Sequence, residues 1–250
     1  MRLGIIGGGR AAWAYGSGWV RLGWPIAGVW LRDESLSQLP DLIGAPRRPV
    51  AELAAECELL LVAVSDRAIE EVAAIIPESD AIIFHASGAL RSLRDGFSLH
   101  PLKALPPVGE PSDLSDTLLV FEGAHRRTAR LVTTALGARF AEVSAEMKPL
   151  YHAGAVFGSN YVAAMLDIAE ATLHRAGVKG ARQDLTALAY SAMNNWKREE
   201  GRARFTGPAS RGDLTTLKAH LAALADDAQV AEIYKLLADW IARSTVATPE

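Results

Sequence analysis

Three consecutive glycines, Gly7, Gly8 and Gly9, stand between the apolar run "LGII" and an alanine-rich stretch that opens with Arg10. Glycine loses the most conformational freedom on folding and reaches backbone conformations closed to other residues. Such a triplet marks either a plain tight turn or a turn whose backbone must come close to a ligand. Its surroundings decide between the two. "RLGIIG" (2–7) reads as a strand, "RAAWAYGSGWVRLG" (10–23) as a helix and "IAGVWL" (26–31) as a second strand. The glycines therefore open the helix of a strand–helix–strand unit of about 30 residues. Gly7, Gly9 and Ala12 match the G-x-G-x-x-G/A fingerprint of a dinucleotide turn. Gly7 makes the turn, Gly9 leaves room for a pyrophosphate, and Ala12 lets the helix pack closely on the strand. Free N–H groups at the helix start, Gly8 and Arg10 among the residues there, and the helix dipole favour the diphosphate.

The alternation continues. Helical patches around 34–43 and at 50–56 precede "ELLLVAV" (58–64), a nearly continuous apolar run of the kind that a parallel strand buried on both faces requires. "DRAIEEVAAII" (66–76) reads as a helix. "AIIFHAS" (81–87), "FSLHP" (97–101), "TLLVFEG" (117–123) and "RFAEVS" (139–144) read as strands, with a helix at 127–137. This pattern predicts an α/β domain over 1–145, a doubly wound, mostly parallel Rossmann sheet. Beyond it every stretch is helical: 145–177, 182–200, 213–225 and 228–244. An all-α domain is expected over 146–250, with a frayed "VATPE" tail.

A chain of 250 residues with 50% apolar residues and a net charge of −3 has the balance of a globular protein. It gives no electrostatic reason to expect nucleic acid or an anionic membrane as partner. No apolar run approaches the roughly 20 residues that span a bilayer, and no signal peptide is seen, so a cytoplasmic protein is expected. The single Cys57 excludes an intrachain disulfide and a cysteine-rich metal site, and no metal is expected.

The end of the second strand selects the cofactor: an acidic residue takes ribose hydroxyls, an arginine a 2′-phosphate. "VWLRDE" offers both, Arg32 and then Asp33. Arg32 favours NADP, with NAD as the alternative. In an open parallel sheet, ligands lie beyond the carboxyl ends of the strands. Ser65 and Asp66 stand there after the third strand, either capping the next helix or facing the cofactor. His85, Ser87 and Gly88 in "HASGAL" stand there after the fourth, and His100 in "SLHPL" after the next. Ser87 and Gly88 are candidates for the cofactor and His100 for the substrate, although polar turns look alike.

The segments "IIGGGRAA", "VSDRAI", "HASGAL", "SLHPL", "KPLYHAGAVFGSNY" and "TGPASRGD", in this order, resemble one bacterial family. Its members pair a Rossmann-like N-terminal domain with a helical C-terminal domain of unknown function. That family is similar to the 6-phosphogluconate dehydrogenase and pyrroline-5-carboxylate reductase superfamily, which reduces small substrates with NADP(H) or NAD(H). The resemblance implies nicotinamide dinucleotide binding and a helical domain that often forms homodimers; it supplies no reaction. Ala12 stands where a third glycine is common.

Lys148, His152, Ser159 and Asn160 share one broad face if 145–177 is a single helix. Small residues surround them, so a ligand or another backbone could approach. Superfamily dehydrogenases carry a lysine or polar residue on the first helix after the Rossmann domain and an asparagine further along; Lys148 or His152, with Asn160, resembles that arrangement. The competing reading is a helix–helix contact. In "TGPASRGD" (206–213), Thr206 or Asp213 can cap a helix and Pro208 suits a first turn, while Arg211 offers a fork for an anionic substrate group. The function expected is an NADP(H)-dependent oxidoreductase acting on a small, anionic molecule: Lys148 or His152 moves the proton, Asn160 orients, and Ser159, His100 and Arg211 bind substrate. The alternative is a non-catalytic, dimeric dinucleotide-binding sensor or scaffold.

Overall fold

The computed structural model describes residues 1–33, 35 and 37–244 and divides into two compact units, Met1–Ser159 and Asn160–Glu250. The first unit runs β1 (Leu3–Ile6), α1 (Arg10–Arg21), β2 (Ile26–Trp30), α2 (Leu39–Ile43), α3 (Val50–Glu56), β3 (Leu59–Val62), α4 (Asp66–Ala74), β4 (Ile82–His85), β5 (Phe97–Pro101), β6 (Leu118–Gly123), α5 (Arg126–Ala135), β7 (Arg139–Glu142) and α6 (Lys148–Phe157). Its seven strands form one sheet in the order β2-β1-β3-β4-β5-β6-β7. Every pairing is parallel except β5 with β6. This is the doubly wound Rossmann arrangement expected from the alternation. All four residues of β1 and of β3 are buried, so neither strand shows a polar face.

Alternate side chains feed two cores. On one face Tyr15 and Trp19 of α1 pack with Phe84, Phe97, Leu99 and Phe121. The Phe84 and Phe97 rings stack 4.9 Å apart, and the buried Tyr15 hydroxyl donates to the Leu99 carbonyl at 2.6 Å. On the other face Ile69, Val72 and Ile76 pack on Ile6, Leu60, Val62 and Ile83. Toward β5 and β6 this second face turns polar. His85 lies beside Ser98, and Ser98 beside Glu122, in one row across β4, β5 and β6.

The helical region does not run unbroken from 145 to 177. α6 ends at Phe157, and a new helix starts at Asn160. Gly158 and Ser159 stand at the break, and glycine is a poor helix former. The helical arithmetic that places Ser159 and Asn160 on the face of Lys148 and His152 therefore stops at Gly158.

The second unit contains α7 (Asn160–Arg175), α8 (Arg182–Arg198), α9 (Pro208–Arg211), α10 (Leu214–Ala223) and α11 (Ala228–Ser244), with no strand among its described residues. Pro208 stands in the first turn of α9, and Asp213 caps α10 by accepting from the Thr216 N–H at 3.0 Å. Among the described residues, no helix is long and apolar enough to cross a membrane. The "VATPE" tail and part of the 34–43 patch lie outside the described residues.

Candidate functional site

The glycine turn is shaped by its backbone. Gly7 adopts φ +110°, a left-handed conformation, and a Cβ there would stand 2.4 Å from the Ala63 carbonyl oxygen. Only glycine fits at that point. Gly8 is pinned from outside: its carbonyl accepts from the Ser37 hydroxyl at 2.8 Å. Gly9 differs. A Cβ added to it meets nothing nearer than the Ala63 oxygen at 3.9 Å, so its glycine identity has no internal packing cause. Gly9 is also the N-cap of α1 and supplies no side-chain cap. The first N–H groups of a helix have no partner within it, and here they start behind a residue that keeps the approach clear. Ala12 is fully buried. The Arg10 guanidinium turns away to the Leu105 carbonyl at 3.2 Å.

After β2, Arg32 and Asp33 go separate ways. Arg32 pairs with Glu71 of α4 at 3.0 Å, with both side chains exposed. The Asp33 carboxylate accepts from the Ser35 hydroxyl at 2.6 Å and the Ser35 N–H at 2.9 Å. These hydrogen bonds hold its carboxyl below the usual range.

At the carboxyl ends of β3 and β4 the expected residues meet. Ser65 is the N-cap of α4 without a side-chain hydrogen bond. Asp66 instead accepts from the Ser87 hydroxyl at 2.9 Å. Ser87 Oγ in turn accepts the N–H groups of Ala89 and Leu90, at 3.2 and 3.1 Å, which fastens the turn that carries Gly88. His85 is fully buried beneath it. Its Nδ1 accepts from the Ser87 N–H, and its Nε2 faces the Arg91 carbonyl at 2.9 Å. Burial pushes its pKa down, so the ring serves the turn as a neutral bridge.

α6 lays Lys148, Tyr151 and His152 over this region, at the three- and four-residue spacing that puts side chains on one helix face. Lys148 is only 1% exposed. Its ammonium donates to the Ser98 hydroxyl and to the Ser87 carbonyl, and lies 3.6 Å from the Glu122 carboxylate. Burial lowers the Lys148 pKa, and Glu122 opposes the shift. Glu122 is itself held by the N–H and hydroxyl of Ser92 and by Ser98. His100 Nδ1 is hydrogen-bonded to the Tyr151 hydroxyl at 2.5 Å. Burial, with help from His152 and Lys148, pushes the His100 pKa down to about 4, and burial pushes Tyr151 up to about 12. Both are neutral near pH 7. The His152 ring lies edge-on to His100 at 6.0 Å, and its Nδ1 is buried without a hydrogen-bond partner among the described residues. A Cβ on Gly88 would stand 2.7 Å from His152 Nδ1 and 3.0 Å from His100 Nε2. Gly88 is thus the floor against which both imidazoles rest.

Ser87, Gly88, His100, Lys148 and His152 are brought together. Ser98, Glu122 and Tyr151 join them: Ser98 and Tyr151 stand inside "SLHPL" and "KPLYHAGAVFGSNY", neither of which assigns them a role, and the one hint of Glu122 is a glutamate in the otherwise apolar strand "TLLVFEG". Asn160 opens α7 and Arg211 closes α9, both in the second unit. The Arg211 guanidinium donates to the Thr206 carbonyl of its own loop.

Residues 119–241 match the family model described as Domain of unknown function (DUF2520). The match includes Glu122, Lys148, Tyr151 and His152. No curated protein matches the chain. Among solved structures, a Bacteroides fragilis protein described as a "putative NADP oxidoreductase" is 22% identical, with a TM-score of 0.81 over 97% of this chain and 98% of that one. A Thermotoga maritima protein is 21% identical, with a TM-score of 0.78 over 98% of both chains. A reductive aminase from Aspergillus terreus, in complex with NADPH and ethyl-5-oxohexanoate, is 18% identical, with a TM-score of 0.70 over 98% of this chain and 93% of that one. These likenesses extend over nearly the whole chain and establish a Rossmann fold with a helical C-terminal region.

Proposed function

We propose that the chain is an NADP(H)-dependent oxidoreductase, with NAD(H) as the alternative cofactor, acting on a small, anionic substrate. The observation that carries this reading is the start of α1. It lacks a side-chain cap and lies behind Gly9, where an added Cβ would clash with nothing in the chain, its nearest neighbour being the Ala63 oxygen at 3.9 Å. A diphosphate fits such a place by charge and by shape. Gly7, Gly8, Gly9, Arg10 and Ala12 form the turn, Arg32 addresses a 2′-phosphate, and Ser65, Asp66, Ser87 and Gly88 stand at the strand ends toward the nicotinamide. The descriptions of the similar folds support the same class here: the Bacteroides fragilis protein is described as a "putative NADP oxidoreductase", and the Aspergillus terreus aminase is in complex with NADPH.

A bound nicotinamide supplies hydride transfer. The chain's residues bind, orient and move the proton. Lys148 is sealed in and committed to Ser98, Ser87 and Glu122. Its role in this reading is to hold the Ser87–Gly88 turn against α6. His152, whose Nδ1 has no partner among the described residues, is the better proton carrier, and His100 with Tyr151 provides neutral hydrogen-bonding groups beside it. Ser159, Asn160 and Arg211 are assigned to substrate on the sequence pattern alone. The sealed lysine also favours the second reading, a dinucleotide-binding protein without turnover.

Calorimetric titration with NADPH and NADH tests the proposal. Binding is expected for the unmutated chain. In Gly9→Val, binding should be lost while the melting temperature is kept, because the side chain takes the place of the pyrophosphate. No binding by the unmutated chain would overturn the reading. NADPH oxidation across small carbonyl and imine carboxylates then separates enzyme from sensor.

A homodimer through the helical unit belongs to the same proposal. Leu188, Trp196, Leu214 and Trp240 are each more than 60% exposed. Apolar side chains of that size and number mark an association surface. Because they occur on α8, α10 and α11 alike, the partner has to be present whenever the unit folds, a condition that a second copy of the chain meets. Light scattering should give twice the chain mass, and a monomer at micromolar concentration would refute it.

A further inference from the structure

We propose that Glu71 is a specificity-determining residue: its carboxylate occupies Arg32 in the free protein, and a cofactor 2′-phosphate has to displace it. The inference rests on the dinucleotide reading above. Arg32 follows β2, and Glu71 lies on α4, which follows β3; the two side chains meet at 3.0 Å across the strand that ends in the glycine turn. Both are more than half exposed, at 57% and 68%, so a ligand can reach the pair. The neighbouring carboxylate does not compete for the arginine, because Asp33 is folded onto Ser35.

The consequence is asymmetric. NADH has no 2′-phosphate and leaves the ion pair intact. NADPH takes Arg32 from Glu71 and leaves a carboxylate beside a phosphate of like charge. The preference for NADPH is therefore the difference between two charge-assisted contacts, not the full worth of one. An exposed ion pair is weak, and removing it should be felt as roughly a two- to fivefold change in affinity.

The test is titration of the unmutated chain, Glu71→Gln, Arg32→Ala and the double variant with NADPH and with NADH, beside melting curves. Glu71→Gln keeps the side-chain size at an exposed position, so folding should be unchanged. NADPH should bind it roughly two- to fivefold more tightly, and NADH as before. Arg32→Ala should lose the preference for NADPH. In its background Glu71→Gln should give a smaller gain, since only direct repulsion of the phosphate is then relieved. Unchanged or weaker NADPH binding by Glu71→Gln, or an equal gain for NADH, would overturn the proposal while leaving the dinucleotide reading standing. Failure of the unmutated chain to bind either dinucleotide would overturn both.

Discussion

The first unit and the second bury their apolar residues to different degrees. In the first, two cores sandwich the sheet, and Trp19, Tyr15, Phe84 and Phe97 are wholly enclosed. In the second, α7, α10 and α11 contribute no buried residue among those described, and α8 contributes Leu185 alone. The α8 face that contains Leu185 continues through Leu188 and Trp196, which are 66% and 64% exposed. Helices draw most of their stability from packing an amphipathic face. The contrast teaches that the two halves of the chain encode different things: the first a closed fold, the second a set of helices that leaves large apolar side chains exposed, the surface to which the proposed homodimer is assigned.

The sharpest way to break that contrast is to damage each side and compare. Lys148→Met should be the largest effect. It leaves the Glu122 carboxylate buried without its cation, at a cost of about 3–5 kcal/mol. Urea unfolding should show the loss, and it should not depend on protein concentration. Adding Glu122→Gln should restore part of it. If Lys148→Met costs less than about 1 kcal/mol, the buried pair does not support the first unit as described.

Leu188→Ser with Trp196→Ser comes next. Central apolar residues of an interface typically contribute about 2 kcal/mol or more each. If the proposed homodimer forms, the variant should sediment as a monomer at concentrations where the unmutated chain is expected to be a dimer, and its melting temperature should not depend on concentration. A dimer that survives both substitutions would place the interface elsewhere.

The smallest expected effect is acid sensitivity of the first unit. The His100 pKa is pushed down to about 4 from an ordinary 6.5, and that of His85 is also lowered by burial. Between those two values the unfolded chain takes up a proton at His100 that the folded one refuses. Stability is therefore full above pH 6.5 and falls as the pH drops toward 4. Urea midpoints at pH 7 and pH 5 should show the fall, and His100→Asn should flatten it. A slope that His100→Asn leaves unchanged would assign the sensitivity to other groups.

The sequence by itself determined what depends on near neighbours. The all-buried strands, the Gly7–Ala12 fingerprint, the Pro208 turn and the Asp213 cap are legible because backbone sterics, strand burial and capping act over a few residues. The strand–helix alternation then left few topologies for the first unit. Tertiary structure alone decided the rest. Lys148 meets Ser98 at a separation of 50 residues, His100 meets Tyr151 at 51, and Asp66 meets Ser87 at 21. No local spacing encodes these pairs, because a strand row and a helix face are brought together only when the sheet is assembled. The same holds for Arg32, which stands beside Asp33 in "VWLRDE" and in the fold finds Glu71. The division at Gly158–Ser159 was likewise not legible, because the apolar and small-residue pattern continues across it while the helix stops at Phe157 and restarts at Asn160.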